Sequence, residues 1–179
     1  MPTAFTGQIE VVTNPAPTEV EAALAELLVD AVAHGASVSF SGSIDPAEAR
    51  SWWATTLAGF GDRDVLLIAR DADGIVGTVN VRGCWQANQR FRGEITKLLV
   101  HSRARRRGIG RALMQAIESH ALRIGLTLLV LDTNAQSEAD HLYQSLGWTR
   151  VGEIPGYSLR YDGQRWPTAI FYKSLAHGG

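Results

Sequence analysis

A single cysteine, Cys84, stands in the 179 residues of this chain. That excludes an internal disulfide framework and any multi-cysteine zinc site. No apolar run approaches the ~20 residues that a membrane helix needs. Residues 1–14 lack the basic start and the long apolar stretch of a secretory signal, so a reducing cytoplasm is the expected compartment. An excess of either charge is missing too. Lys plus Arg number 17 against 18 Asp plus Glu, a formal net charge of -1. Neither nucleic acid nor membrane is therefore an expected partner, although a local basic patch is compatible with this balance. Internal repeats, low-complexity segments and Pro/Gly/Ser stretches long enough to separate domains are all absent. What is present, 45% hydrophobic and 20% charged residues, is the composition of an ordinary globular chain, read as a single domain over residues 1–179.

The chain opens with a strand over residues 8–13, broken by Pro15 and Pro17. Thr18-Glu19-Val20-Glu21 has the spacing of a capping box, and Val20, Leu24, Leu27, Leu28 and Ala31 recur at helical period up to Gly35. Asp45-Pro46-Ala47-Glu48 starts a second helix, which carries Trp52, Trp53 and Leu57. Residues 65–69 and 75–81 read as a hairpin about Asp71-Ala72-Asp73-Gly74, and residues 93–100 as a further strand. Ala112, Leu113, Ala116, Ile117 and Ala121 form the apolar face of the next helix. Residues 126–131 are almost wholly apolar, as in a strand covered on both faces. A helix over 137–146, capped by Gly147, and strands over 148–153 and 168–173 complete the set. The fold class is α/β (α+β): a mixed, mostly antiparallel sheet, partly parallel in its second half, with about four helices.

The most informative segment lies between a strand and a helix: Val100-His101-Ser102-Arg103-Ala104-Arg105-Arg106-Arg107-Gly108-Ile109-Gly110-Arg111-Ala112-Leu113. Glycines there let the backbone approach a ligand, and a helix N-terminus points unpaired N–H groups and its positive dipole end at an anion, with phosphate the usual one. The arginines add charge-assisted contacts. A solvated basic turn is the plain alternative. A P-loop is excluded, because no Lys follows Gly108 or Gly110, and a dinucleotide fingerprint is excluded because its third glycine position is Leu113.

Arg105-Arg106-Arg107-Gly108-Ile109-Gly110 resembles the Arg/Gln-x-x-Gly-x-Gly/Ala signature of the GCN5-related N-acetyltransferases. Leu98-Leu99-Val100 is similar to that family's splayed central strand. Ala-Asp-His-Leu-Tyr-Gln-Ser-Leu-Gly-Trp at 139–148 resembles its Ala-x-x-Leu-Tyr-x-x-x-Gly-Phe block. The order and spacing agree over residues 65–173, and Leu131-Asp132-Thr133, Leu142-Tyr143 and residues 152–157 look closest to the tabtoxin-resistance acetyltransferases. One departure is Gln136, where the family usually has Asn.

The resemblance implies a sheet splayed at its centre and acetyl-CoA as cosubstrate. The backbone amides of Arg106, Arg107, Gly108, Ile109, Gly110 and Arg111 would hold the pyrophosphate, within a cofactor segment running from Arg105 to Ala112. The main chain of Leu98, Leu99 and Val100 would pair with the pantetheine arm, and an N–H of that strand would polarise the acetyl carbonyl. The resemblance gives Tyr143 the role of protonating the departing thiolate, against the alternative of a tyrosine packing on the sheet. It also implies an acceptor role for Asp132 and Glu94. An amine with a pKa near ~10 must lose a proton before it attacks, and a carboxylate accepts protons and attracts ammonium. The bland alternatives are a turn cap for Asp132 and a wet strand end for Glu94. Trp85 is a candidate substrate wall, and one of Trp52 and Trp53 is expected in the core. No His pair has metal spacing with a carboxylate, so no metal is expected.

The implied activity is acetyl transfer to the primary amine of a small, amino-acid-like molecule by direct attack in a ternary complex. The alternatives are acetylation of a protein N-terminus or lysine, and a coenzyme A-binding regulator without catalysis. The segment over residues 35–43 and a loop over residues 157–167 would separate an enclosed pocket from an open groove. A homodimer stays open.

Overall fold

Hydrophobic alternation sets the layers. In β2 (Asp64–Asp71), Leu66 and Ile68 point to one side of the sheet and Leu67 and Ala69 to the other, and all four are buried. In β2 the continuous apolar run therefore reflects helices on both faces. The computed structural model describes residues 4–14, 16–36, 38, 40, 42–159 and 162–175. Seven strands form one sheet in the order β1-β2-β3-β4-β5-β7-β6, with β1 (Gln8–Val11), β3 (Gly74–Gly83), β4 (Arg92–Val100), β5 (Leu128–Asn134), β6 (Thr149–Leu159) and β7 (Arg165–Ser174). Neighbours are antiparallel except β4 and β5.

One face carries α1 (Thr18–Ala33) and α2 (Pro46–Ala58), whose Leu24, Leu27, Leu28 and Trp53 are sealed against Leu66, Ile68, Ile75 and Leu99. Trp53 is the core member of the tryptophan pair, and Trp52 is half-buried at its edge. The other face carries α3 (Ile109–Arg123) with Leu113, Met114 and Ile117, and α4 (Glu138–Ser145) with Tyr143. Each such fully buried aliphatic side chain contributes about 1.5–3 kcal/mol by leaving water.

Local signals held in most places. Asp45 caps α2 by accepting from the Ala47 amide at 2.7 Å, with Pro46 at the first helical position. Gly147 is left-handed at φ +78°, just beyond α4. Three expectations need correction. The capping box at Thr18 does not form: Pro17 holds the N-cap position, and its carbonyl already takes the amides of Val20 and Glu21. β5 is buried on the α3 side through Leu129 and Leu131, while Leu128 and Val130 are half-buried; β2 is the strand covered on both faces. Most of residues 157–167 belong to a long β6–β7 hairpin, irregular between Ile154 and Ser158. Within the segments 35–43 and 157–167, residues 37, 39, 41, 160 and 161 lie outside the described residues. Among the described residues, no helix is long and apolar enough to cross a membrane.

Two irregularities position the site. The parallel pairing of β4 with β5 lasts only from Arg92↔Leu128 to Glu94↔Val130, after which the strands diverge. On its other side β4 carries a bulge against β3: Asn80 opposes Thr96 and Thr78 opposes Leu99, so two β4 residues face Val79 alone.

Candidate active site

A cleft of about 480 Å³ opens where β4 and β5 diverge. One wall is β4 from Ile95 to Val100, which has β3 along one edge and, among the described residues, no strand partner toward β5 beyond Glu94. The opposite wall is Asp132, Thr133 and Asn134 of β5 with Ser137, Glu138, Leu142 and Tyr143 of α4. The mouth is the turn ahead of α3, with Arg105, Arg106 and Gly108, and the first residues of that helix, Ile109, Gly110 and Arg111.

That turn is shaped for close approach. Arg106 and Gly108 are left-handed, at φ +62° and +82°. Gly108 is the N-cap of α3, and its carbonyl receives the amide of Ala112 at 3.0 Å, the first bond of the helix. The amides of Ile109, Gly110 and Arg111 precede that bond, so they lack partners within the helix and face the cleft end. A side chain at Gly110 would bring its Cβ to 3.2 Å from Leu142, a contact that the leucine would have to yield to. Orphan amides at a dipole terminus beside a cleft fit a phosphate-bearing ligand.

Of the expected cofactor residues, Leu98, Leu99, Val100, Arg105, Arg106, Gly108, Ile109, Gly110, Arg111 and Tyr143 line this cleft. Arg107 and Ala112 do not. The Arg107 side chain turns away to Asp71, 3.1 Å distant, and the Ala112 amide is spent on the helix. Arg103 also reaches Asp71, at 3.5 Å. Burial alone would raise the Asp71 carboxyl, but the Asp73 amide and the two arginines hold it below its usual range. From the other face, Asp30 of α1 accepts both the amide and the hydroxyl of Ser102 at 2.7 Å, tying α1 to the turn that enters the site.

Tyr143 is 5% exposed, against Trp148 and Phe171. Burial, with the Asp132 charge in second place, holds its hydroxyl firmly protonated, well above the usual tyrosine range. Asp132 is the first polar residue after the apolar run of β5 and not the strand end, because β5 continues to Asn134. Its carboxylate opens on the cleft, yet the surrounding walls raise it above the usual carboxylate range, and the Lys97 ammonium opposes them. Glu94 is exposed and is not among the cleft-lining residues, although its charge acts on Lys97. Trp85 is 83% exposed in the β3–β4 connection, away from the cleft.

Lys97 also lines the cleft, and no sequence motif pointed to it. It is one of only two lysines in the chain and interrupts an otherwise apolar strand end, a signal that was there to be used. Gln136, at the family's usual Asn position, is left-handed at φ +63°. Its backbone N–H donates to the buried Asp140 carboxylate at 2.8 Å, and it lines a second cavity.

That cavity, about 790 Å³, adjoins the cleft through His34, Gly35, Ala36, Asn134 and Ser137, and is walled by Phe40, Leu159 and Trp166. It lies between the α1–α2 connection and the β6–β7 hairpin. Among the described residues, no group of three or more His, Cys, Asp or Glu gathers to hold a metal.

The model of the acetyltransferase (GNAT) family matches residues 26–148. An L-methionine sulfoximine/L-methionine sulfone acetyltransferase of Salmonella typhimurium is 26% identical over 153 residues, which cover 84% of this chain and 85% of that protein. A phosphinothricin acetyltransferase from Sinorhizobium meliloti, solved in complex with acetyl-CoA, superposes with a TM-score of 0.77 at 18% identity, over 97% of this chain and 90% of that one. A ribosomal-protein-alanine N-acetyltransferase from Brucella melitensis gives 0.76 at 22% identity, over 94% and 99%. These two structures share the fold.

Proposed function

The chain belongs to the acetyltransferase (GNAT) family, and on that premise we propose that it moves the acetyl group of acetyl-CoA to the primary amine of a small, amino-acid-like molecule. The observation that carries this reading is the meeting of two half-sites where β4 and β5 diverge: an amide-lined anion turn on one side, and Asp132 with an adjoining chamber on the other. Two of the three relatives named above carry the names of small acceptors, methionine sulfoximine or sulfone and phosphinothricin, which favours a small acceptor, while the third is named for a ribosomal protein.

Acetyl-CoA supplies an activated thioester. The amides of Ile109, Gly110 and Arg111 hold its phosphates, and the free edge of β4 at Leu98 to Val100 takes its pantetheine arm as an added strand. Asp132 attracts the acceptor's ammonium and accepts the proton that must leave before nitrogen can attack; its raised pKa makes it a better base than an ordinary carboxylate. Tyr143 faces the departing sulfur. A thiol titrates near ~8.5, far below this buried phenol, so full proton transfer from Tyr143 is uphill. Its role is to donate a hydrogen bond that steadies the thiolate; as the tetrahedral adduct collapses, the second proton of the acylated nitrogen passes to solvent and solvent protonates the thiolate.

The test is thiol release from acetyl-CoA with a panel of free amino acids, simple amines and short peptides with free N-termini. Turnover concentrated on small amines is expected. Turnover confined to peptides would overturn the small-molecule acceptor, and binding of acetyl-CoA with no turnover on any acceptor would make the chain a coenzyme A-binding regulator.

A further inference from the structure

In β4, Gly93 and Ile95 face α3, so Glu94 and Thr96 face α1 and α2, and simple alternation would send Lys97 back toward α3. It does not go there. The bulge opposite Val79 and a left-handed backbone at Lys97, φ +54°, place Thr96 and Lys97 on the same side, after which Leu98 resumes the α3 face and Leu99 the opposite one. A left-handed conformation is unfavourable for a residue with a Cβ, and such outliers persist where the surroundings hold them, often at functional sites.

The outcome is a fixed cation. Lys97 Nζ lies 4.9 Å from the centre of the Trp52 ring in α2, which is edge-on to Phe40, and donates to the Val38 carbonyl of the α1–α2 connection at 3.3 Å. Burial lowers its pKa below the usual lysine range, and the charges of Asp132 across the cleft and Glu94 on its own strand work against that lowering. The acceptor side of the cleft thus presents a cation and a carboxylate from opposite walls.

We propose that Lys97 is the specificity-determining residue for the acceptor: placed by the β4 bulge over Trp52, it binds the carboxylate of a zwitterionic α-amino acid whose amine is held by Asp132. The inference rests on the acetyl-transfer reading and narrows it. An acceptor bearing only positive charge would meet repulsion from Lys97, whereas an α-amino acid presents one charge to each partner. Trp52 fixes the ammonium before the acceptor arrives, which lowers the ordering cost of binding.

The experiment compares kcat/KM for each α-amino acid of the panel with that for its carboxamide, in wild type, Lys97→Met and Lys97→Arg. Wild type is expected to favour the free acid. Losing a charge-assisted contact in Lys97→Met should cut the acid-to-amide ratio by roughly ten- to a hundredfold, with Lys97→Arg restoring much of it. A merely structural lysine would lower both rates together and leave the ratio in place, and that result overturns the proposal. So does a wild type whose best acceptors carry no anionic group. If no acceptor turns over, the acetyl-transfer reading has failed. Calorimetry of amino acid and amide in the presence of coenzyme A then decides the inference alone: equal affinities in wild type, or unchanged amino-acid affinity in Lys97→Met, overturn it.

Discussion

Arg107 Nη1 lies 3.1 Å from Asp71 Oδ2, a contact that joins the β2–β3 turn to the loop ahead of α3 across 36 residues of sequence. The main chain of Arg107 is fastened as well, since its carbonyl accepts from the amide of Phe5 at 3.0 Å. One arginine of the signature thus anchors the turn to the sheet, while its neighbours Arg105 and Arg106 face the cleft.

Asp71→Asn should therefore loosen the turn. Leaving the half-buried Arg107 without its charged partner is expected to cost about 1–3 kcal/mol of stability. Asp71 has a carboxyl depressed below its usual value of 3.8 when folded. Its contribution is then complete above that value and lost as the pH falls through the lower folded value. Denaturant melts should show a gap between wild type and variant that is widest near neutrality and closes in acid. Affinity for acetyl-CoA should fall alongside, read by calorimetry; a variant with unchanged stability and affinity would deprive the Asp71–Arg107 contact of its anchoring role.

Gly108→Asp tests the anion turn. Nothing lies within 4 Å of where its Cβ would be, so the cost to the fold is that of a left-handed aspartate, about 1 kcal/mol and modest for this residue type. The negative charge sits at the amides expected to hold phosphate. Acetyl-CoA affinity should drop at least about tenfold beyond the drop for Gly108→Asn, which has the same shape without the charge. Equal affinities for the two variants would place the phosphates elsewhere.

Tyr143→Phe removes a hydroxyl and keeps the ring against Trp148 and Phe171, so the fold should hold. Single-turnover rates are expected to fall by about tenfold or more, toward the lower end of general acid effects because solvent supplies the final proton. Acetyl-CoA affinity should change far less. An unchanged single-turnover rate would reduce Tyr143 to packing.

Asp132→Asn preserves shape and removes the proton acceptor. Wild-type activity should decline on acidification through a group that titrates above the ordinary carboxylate value of 3.8, because the protonated acid can neither attract ammonium nor accept its proton. In the variant that limb should be lost, with activity recovering as pH rises toward the amine's own pKa and free amine becomes abundant. Parallel pH–rate profiles would return Asp132 to a structural role. Glu94→Gln should have the smaller effect, because Glu94 is exposed beside the cleft and not in its wall.

The elements and their edges were legible where the signal is local. Helical period put Leu24, Leu27 and Leu28 on one face of α1, Asp45 and Pro46 marked the start of α2, and Gly147 marked the end of α4. The glycine turn was legible for the same reason: a strand, a left-handed residue and a helix N-terminus follow one another within a few residues. Tyr143 and Asp132 could be named from their motif, but not their surroundings.

Tertiary structure decided everything that depends on residues far apart in the chain. The capture of Arg107 by Asp71 follows from two turns meeting beside the sheet, and the exposure of Trp85 from a connection that leaves it. The opening between β4 and β5 is set by how many residue pairs two separate strands share before the sheet splays, which neither strand encodes alone. Lys97 shows the limit most sharply. Its identity stands in the sequence, but a strand's period of two assigns it to the wrong face, and only a bulge formed against β3 turns its ammonium toward Trp52. The sequence by itself determined which residues were available for chemistry and which elements would carry them. Which of them meet was decided by register and side-chain pairing between distant segments, because those contacts exist only once the sheet has formed.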